Sequence, residues 1–576
     1  MSTSPEPATA SVRRLPNLFD IAALICITAA LIALAHEARH TFAPLVLGEI
    51  GDIHLDPSYL PSYALRTVMR MFAALAASLL FTFTYATWAA KSRRAGQILI
   101  PILDILQSLP IFGFLTFTVT FFLGLFPGRV IGAELAVIFA IFTSQAWNMA
   151  FSMYQSLTTI PSDLDEACRG FRLSAWQRFW RLEVPFALPG LIWNMMMSMS
   201  GGWFLLTAAE AVTVGHTSFM LPGIGSYIAT ALQARDIKAV LFAILTMLLV
   251  ILAYDQVLFR PLVKWSAKFR VETTAGGDDD EEDPWVLAVL RRTSLLRWTN
   301  DRLAMVFFAI SGLRLRVLPA RRVRVAAAPS RVLDTVWMAG LSGVVLFSAG
   351  KIWVFCAASL TFGDVGEAFV LGLYTLTRVV LLMALATLVW VPIGVLVGLN
   401  ARWSARVGAA AQFLAAFPAN LFYPIFVSLI VRFQLSPDIW LTPLIVLGTQ
   451  WYILFNVVAG ARAFPADLRE AARNFRVGGF LWWRRVILPG VFPYFVTGAI
   501  TASGGSWNAS LVAEIATWGN TTLRAHGLGA YIQQATSDGN SAKVLLGMVV
   551  MAGFVLTTNR LVWRPMYAYA TRRLTL

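Results

Sequence analysis

The sequence predicts an all-α polytopic membrane protein of about 12 transmembrane helices, arranged as two parallel six-helix repeats. Composition, run length and self-similarity each point there. Of the 576 residues, 58% are apolar and 13% charged, whereas soluble domains carry about 25% charged residues. A chain so poor in charge needs lipid around it. Its net charge of +15 has to sit in loops, where cytoplasmic Lys and Arg orient membrane helices, so nucleic acid is not an expected partner. Cys26, Cys168 and Cys356 are too few and too scattered for a disulfide framework or a zinc site. His36, His40, His54, His216 and His526 fall at or beyond the ends of apolar runs, whereas a buried haem or copper centre needs histidine at membrane depth. No metal site is expected.

A span needs about 20 apolar residues. The uncharged runs 71–90, 105–128, 135–162, 184–209, 379–400, 407–431, 439–461 and 486–513 meet that directly. Four more, 18–35, 239–254, 335–350 extended past Lys351, and 544–559, are shorter or charged at one edge and complete six spans per half. The first follows Arg13 and Arg14 and ends Ala33-Leu34-Ala35, a pattern that also suits a cleaved leader. The second half opens with a comparable segment after Arg331, so a retained helix is the expectation. Alternate loops are basic: Lys91, Arg93 and Arg94, then Arg169 to Arg181, then Arg260, Lys264 and Lys268. Those loops and both termini are therefore expected in the cytoplasm.

The first repeat is expected over 1–265 and the second over 333–576, joined by a cytoplasmic linker over 266–332. The linker carries an acidic run, Asp278 to Asp283, read as solvated coil, and a basic stretch that includes Arg291, Arg292, Arg314, Arg316, Arg321, Arg322 and Arg324. Within it, Leu303 to Ser311 is too short to cross a bilayer and reads as an interfacial amphipathic segment.

The repeat is direct. Pro161, Asp163, Leu164, Glu166, Ala167, Arg169, Phe171 and Arg172 recur as Pro465, Asp467, Leu468, Glu470, Ala471, Arg473, Phe475 and Arg476, each 304 residues on. The register holds through Pro185 and Pro489, Trp203 and Trp507, Glu210 and Glu514, and Arg260-Pro261 and Arg564-Pro565. Upstream the spacing becomes 308, with Arg70 on Arg378 and Pro110 on Pro418. An even number of spans separates the copies, so both have one orientation, and a translocation path between the halves suits such a pair. The best-matched element is a polar loop, where divergence is normally greatest, and this points to docking.

That loop, with Glu166-Ala167-Cys168 running to Pro185 and Glu470-Ala471-Ala472 running to Leu488-Pro489, resembles the Glu-Ala-Ala loop of binding-protein-dependent ABC import permeases. The whole chain is similar to a fused, duplicated permease of their nitrate, sulfonate and taurine branch. The resemblance implies the MetI-like, type I ABC importer permease fold and uptake of a small anion across the bacterial inner membrane. It implies two ABC ATPase subunits on the cytoplasmic face and a periplasmic or lipid-anchored substrate-binding protein. The loop would be a short helix seated on the ATPase, with Glu166 and Glu470 capping or orienting it and Ala167 and Ala471 allowing close approach. The usual Gly six residues after the Glu is Arg172 in one copy and Arg476 in the other, and Cys168 stands where Ala472 does. The turn is therefore expected to be built differently. Positive-inside topology is the other reading of Arg169, Arg172, Arg473 and Arg476. No G-x-x-x-x-G-K-[ST] phosphate loop occurs, so the chain is not expected to be an enzyme; ATP and Mg would be bound by the partner ATPases, with no cofactor here.

Ionisable groups inside spans are costly. Arg70 and Glu210 stand at the outer ends of their spans, and Arg378 and Glu514 repeat them. They are expected to pair structurally, or the arginines to bind the anion. Trp203, Trp507 and Asn508 lie on the helices expected to line the path. Pro222-Gly223 to Tyr227 and Gly527 to Tyr531 read as a short re-entrant or surface element on an external loop, within reach of a binding protein, or as an ordinary turn before a helix. Asp104 faces Gln412 in the repeat register and reads as a local hydrogen-bonding group. The alternative function is a twelve-helix secondary transporter driven by an ion gradient, which would call for several mid-span relay groups.

Overall fold

An apolar run in lipid has no water for its N–H and C=O groups and must satisfy them internally. The computed structural model is accordingly helical almost throughout the described residues, which are 53–108, 111–214, 217–269, 292–313, 331–400, 417–462, 466–518 and 521–573 with isolated positions between. The first predicted span, the acidic run 278–283 and the side chain of Asp104 lie outside them, as does Gln412. In the first repeat the helices that matter are α1 (Leu60–Lys91), α2 (Val130–Thr158), α3 (Ser162–Gly170), α4 (Val184–Ala209), α5 (Ile224–Gln233) and α6 (Ile237–Tyr254). The linker contributes α7 (Ser294–Gly312). The second repeat contributes α8 (Phe362–Gly398), α9 (Gln450–Arg462), α10 (Ala466–Asn474), α11 (Leu488–Ala513), α12 (Leu528–Ser537) and α13 (Ser541–Thr558).

Among the described residues, 6 helices are long and apolar enough to cross a membrane, and a bent pair makes up to 7. The run 439–461 is that pair: Pro437–Leu447 and Gln450–Arg462 meet at 41°, with Gly448 in the break. The run 407–431 is interrupted too, since Pro418 is followed by a 3-10 turn at Ala419–Phe422 before the helix Tyr423–Arg432. The run 105–128 falls in two helices, Arg93–Ser108 and Ile111–Leu125.

From α3 through the π-turn Asp255–Phe259 every boundary recurs 304 residues later, including the π-turns Phe179–Glu183 and Trp483–Ile487, and the helix that follows differs only in its end, Arg260–Ala267 against Arg564–Arg573. Two short hairpins also recur. Strand β1 (Ala211–Val214) pairs antiparallel with β2 (Thr217–Met220), Ala211 opposite Met220. Strand β3 (Ile515–Trp518) pairs with β4 (Thr521–Arg524), Ile515 opposite Arg524. Each hairpin hangs from the far end of α4 or α11, away from the polar loop that precedes the helix.

Compactness divides the chain into one unit of 1–39, 159–189 and 254–322 and another of 40–158, 190–253 and 323–576. The larger unit has its core where α8, α9 and α11 meet, with Ile453, Val457, Val491 and Ala499 at 1% exposure or less. Leu80, Phe121, Leu388 and Leu396 remain over 60% exposed, as lipid-facing side chains do. In the smaller unit, α7 lies against the arm that follows α3. Trp176 Nε1 donates to the Ile310 carbonyl at 2.8 Å and Gln177 Nε2 to the Gly312 carbonyl at 2.9 Å. These satisfy carbonyls a helix end otherwise leaves unpaired, and the Trp180 and Phe307 rings meet edge-on at 5.5 Å. Exposed apolar side chains run round α7, Leu303, Met305, Val306 and Phe308 among them, and the helix extends beyond the Leu303–Ser311 run.

The turn after each polar-loop helix corrects the sequence expectation. Arg172 and Arg476 adopt φ of 50° and 52°, the left-handed conformation glycine would take, so the turn is built the same way without glycine. The Leu173 amide donates to the Cys168 carbonyl and the Arg172 amide to Arg169; Val477 and Arg476 repeat this with Ala472 and Arg473, a Schellman closure. The left-handed conformation costs a non-glycine residue roughly 1–2 kcal/mol. Arg172→Gly and Arg476→Gly are therefore expected to stabilise the protein by about 1 kcal/mol each, read as a raised midpoint of thermal unfolding in detergent. A lowered midpoint would mean the arginine side chains contribute more than their backbones cost.

Candidate functional site: a duplicated ion network, two coupling helices and two cavities

A guanidinium inside a helical bundle is stable only if acceptors replace its water. Arg70 on α1 is 3% exposed and finds three. Its Nε and Nη2 donate to both oxygens of Glu134 on α2 at 2.6 and 2.7 Å, and its Nη1 donates to Glu210 Oε1 at 2.6 Å and to the Pro222 carbonyl at 3.0 Å. Glu210 ends α4 and is fully buried. It also accepts from Thr67 Oγ1 at 2.8 Å and from the Gly225 amide at 2.7 Å. Gly225 stands in the first turn of α5, so the carboxylate meets the positive end of that helix. One network thus ties α1, α2, α4 and α5 together beside the first hairpin.

The second repeat builds the same network. Arg378 Nη1 donates to Glu514 Oε1 at 3.2 Å and to the His526 carbonyl at 2.8 Å, and Nη2 donates to Asp438 Oδ1 at 2.8 Å. Glu514 accepts from Thr375 at 2.8 Å and from the Gly529 amide at 2.7 Å. Asp438 accepts from the His526 amide at 2.7 Å, and its other oxygen lies 2.9 Å from His526 Nδ1. The second copy is more open: the Asp438 side chain is 39% exposed against 10% for Glu134.

Arg70 and Glu210, and Arg378 and Glu514, are thus ion pairs. Sequence reasoning missed the third acid, because Glu134 and Asp438 stand just outside apolar runs although they are 304 residues apart. It also missed Thr67 and Thr375, which share the 308 spacing of the arginines. The Pro222–Tyr227 and Gly527–Tyr531 segments are not surface turns. A Cβ on Gly223 or Gly527 would overlap the Glu210 or Glu514 carboxylate; both glycines are extended, so close approach rather than backbone freedom requires them. Ile224 and Leu528, which follow, are fully buried.

The polar-loop residues are placed on α3, on α10 and just beyond. Glu166 and Glu470 are exposed in mid-helix and cap nothing: the N-cap of α3 is Pro161, and the acids of its first turn are Asp163 and Asp165. Ala167 is exposed, Ala471 and Cys168 are half-buried, and Ala472 is buried. Arg169, Arg172, Arg473 and Arg476 are exposed; Arg169 pairs with Asp165 one turn back at 2.6 Å. Pro185 and Pro489 are half-buried in the first turn of α4 and α11. The most exposed aromatics here are Phe171 and Phe475, at 79% and 81%, which the sequence match contained without marking them.

Two cavities lie between elements of the two repeats. The smaller, about 170 Å³, is lined by Asn148, Ser198, Gly201, Thr449, Thr501 and Asn508 among others. Asn508 therefore faces it, whereas Trp203 and Trp507 are 0% and 2% exposed and pack in the core, Trp507 against Phe554. The larger, about 700 Å³, opens beside the hairpins. Asn420 stands between them, its Nδ2 donating to the Phe204 carbonyl at 3.1 Å and to Thr207 Oγ1 at 2.8 Å. No group of three or more metal-ligating side chains is found among the described residues.

The chain matches the family described as "binding-protein-dependent transport system inner membrane component" twice, over residues 82–259 and 390–575. The chain belongs to this family. Two matched copies, together more than half of the chain, make it a fused, duplicated all-α permease of the inner membrane. It is 29% identical over 188 residues to the bicarbonate transport system permease protein CmpB of Synechococcus elongatus, covering 33% of this chain and 64% of that one. It is 26% identical over 188 residues to the nitrate import permease protein NrtB of Leptolyngbya laminosa, with the same 33% and 64% coverage. It is 28% identical over 165 residues to the glycine betaine/proline betaine transport system permease protein ProW of Escherichia coli, over 28% of this chain and 44% of that one. The chain thus spans just under two thirds of the length of the first of these relatives.

Removing one partner of a buried ion network strands the other, at a cost of about 3–5 kcal/mol. Arg70→Ala is therefore expected to lower the thermal midpoint in detergent by more than Arg378→Ala, whose partner Asp438 is 39% exposed and keeps His526. Equal losses would show that the exposure of Asp438 does not soften the second network.

Proposed function

We propose that this chain is the permease subunit of an ABC importer that carries a small anion across the inner membrane. In this reading two separate ATPase subunits dock at α3 and α10 and bind the ATP and Mg, and a periplasmic or lipid-anchored binding protein delivers the substrate to the hairpin side. Both termini are then cytoplasmic. The observation that carries the reading is the pair of polar-loop helices, each presenting a free carboxylate and a bare phenylalanine, Glu166 with Phe171 and Glu470 with Phe475. The same carboxylate and the same exposed aromatic recur at equivalent positions of both repeats, on an otherwise polar element, and aromatic residues are enriched where proteins contact one another.

The mechanism follows from the attachment of those helices. Each precedes, through a short arm, a helix of 26 residues, α4 or α11, about 39 Å long at 1.5 Å per residue. Closing two ATPases on ATP would displace α3 and α10, and α4 and α11 would carry the displacement to the cavities as rigid rods. The chain supplies path and coupling, while bond cleavage belongs to the ATPases. Bicarbonate and nitrate in the names of two relatives support an inorganic anion as the substrate class, with sulfonates as further candidates.

Phe171→Ala with Phe475→Ala, or Glu166→Lys with Glu470→Lys, is expected to cut ATP-driven uptake at least tenfold while leaving the midpoint of thermal unfolding unchanged. The same variants should lose co-purification with the ATPase subunits. Full uptake by the double variants would refute docking at these helices, and uptake driven by an ion gradient without ATP would refute the importer reading.

A further inference from the structure

The larger cavity has an uneven chemistry. Among the described residues lining it, Arg524 is the only charged side chain, and no carboxylate is present. Around it stand neutral donors, among them Thr517, Thr522, Gln233 and Gln533. Arg524 is exposed at the end of β4, the strand that hangs from the far end of α11, so the cavity lies at the opposite end of that helix from α10. The duplication sharpens the point. The position 304 residues earlier is Met220, which lines the same cavity. The fold therefore does not require a cation here, and one repeat alone carries it.

Resting on the importer reading, we propose that this vestibule is an anion-receiving subsite in which Arg524 attracts a small oxyanion and the surrounding amides and hydroxyls take its remaining lone pairs. A cation in a concave site without counter-charge raises the local concentration of anions. Asn420 lines the vestibule and is bonded to α4 through Phe204 and Thr207. Beyond it the smaller cavity, with Thr449, Thr501 and Asn508, has no charged lining residue among those described. Attraction at the mouth and weak neutral contacts beyond let an anion enter without being held.

The test uses the full chain in nanodiscs with Cys26, Cys168 and Cys356 replaced by Ser and a single reporter, Thr522→Cys. Thr522 is exposed, lines the cavity and precedes Arg524 by two residues on one strand, so both face one side, about 7 Å apart. The rates of modification by an anionic (sulfonatoethyl) and a cationic (trimethylammonioethyl) methanethiosulfonate are compared. With each rate normalised to that reagent's rate with a small free thiol and Arg524 present, the anionic reagent should be favoured roughly fivefold over the cationic one, as a unit charge at that distance implies. Arg524→Lys should keep the preference, Arg524→Met should abolish it, and Arg524→Glu should invert it. A ratio unchanged by Arg524→Met overturns the subsite. ATP-driven uptake of nitrate and bicarbonate by the assembled transporter is measured separately: its absence in the unsubstituted chain counts against the importer reading, and uptake indifferent to Arg524→Glu counts against the subsite.

Discussion

An arginine inside an apolar bundle has to be surrounded by acceptors, and that requirement organises each repeat of this permease. Arg70 and Arg378 each draw a carboxylate from the end of α4 or α11, a second acid from another helix and a carbonyl from the turn beyond the hairpin. The amides at the start of α5 and α12 close the carboxylate from the other side. Neither Gly223 nor Gly527 could carry a Cβ without entering that carboxylate. Hairpin, short helix and long helices, three in the first repeat and two in the second, are thereby fixed at one end by a handful of charge-assisted bonds.

Bonds across the repeats are sparser. Asn420 bonds Phe204 and Thr207, and Tyr452 Oη reaches the Met197 carbonyl at 3.4 Å. Rigidity within a repeat and few polar links between repeats, among the described residues, is an arrangement in which two halves can shift against each other rather than deform. The glycines agree with this division. Gly202 packs so closely that a Cβ would press on Met71 and Gln145, within one repeat, whereas Gly201 and Gly504 have open space and line the smaller cavity.

Much of the architecture was legible in sequence because lipid imposes a single local solution on apolar runs, and because the repeat supplied a second reading of every position. The 304-residue register anticipated helix pairs, ion pairs and loops together. What stayed illegible depends on three-dimensional proximity or on local backbone. The hairpins are four-residue strands, too short for a period-2 pattern to stand out. Glu134 and Asp438 looked like span edges until Arg70 and Arg378 were seen to need a second acid. Arg172 and Arg476 were read as a departure from a glycine turn, yet the Schellman bonds hold them in the glycine conformation. Trp203 and Trp507 sit on the right helices but on their packed faces, a distinction the nearly uniform apolarity of α4 and α11 conceals. Arg524 is invisible to a likeness between repeats, because it stands where the first repeat has Met220.

Rigid repeats moving against each other is the central claim, and distances between spin labels test it directly. One pair, Arg473→Cys with Thr522→Cys, runs from the coupling helix to the hairpin within the second repeat. The other, Gln233→Cys with Ser537→Cys, joins corresponding exposed positions of the two repeats across the larger cavity. Between nucleotide-free and ATP-trapped complexes, the first distance should stay constant within about 2 Å while the second changes by several ångströms, on the scale of interface shifts between rigid bodies. A coupling-helix-to-hairpin distance that changes as much as the distance between repeats would contradict the account.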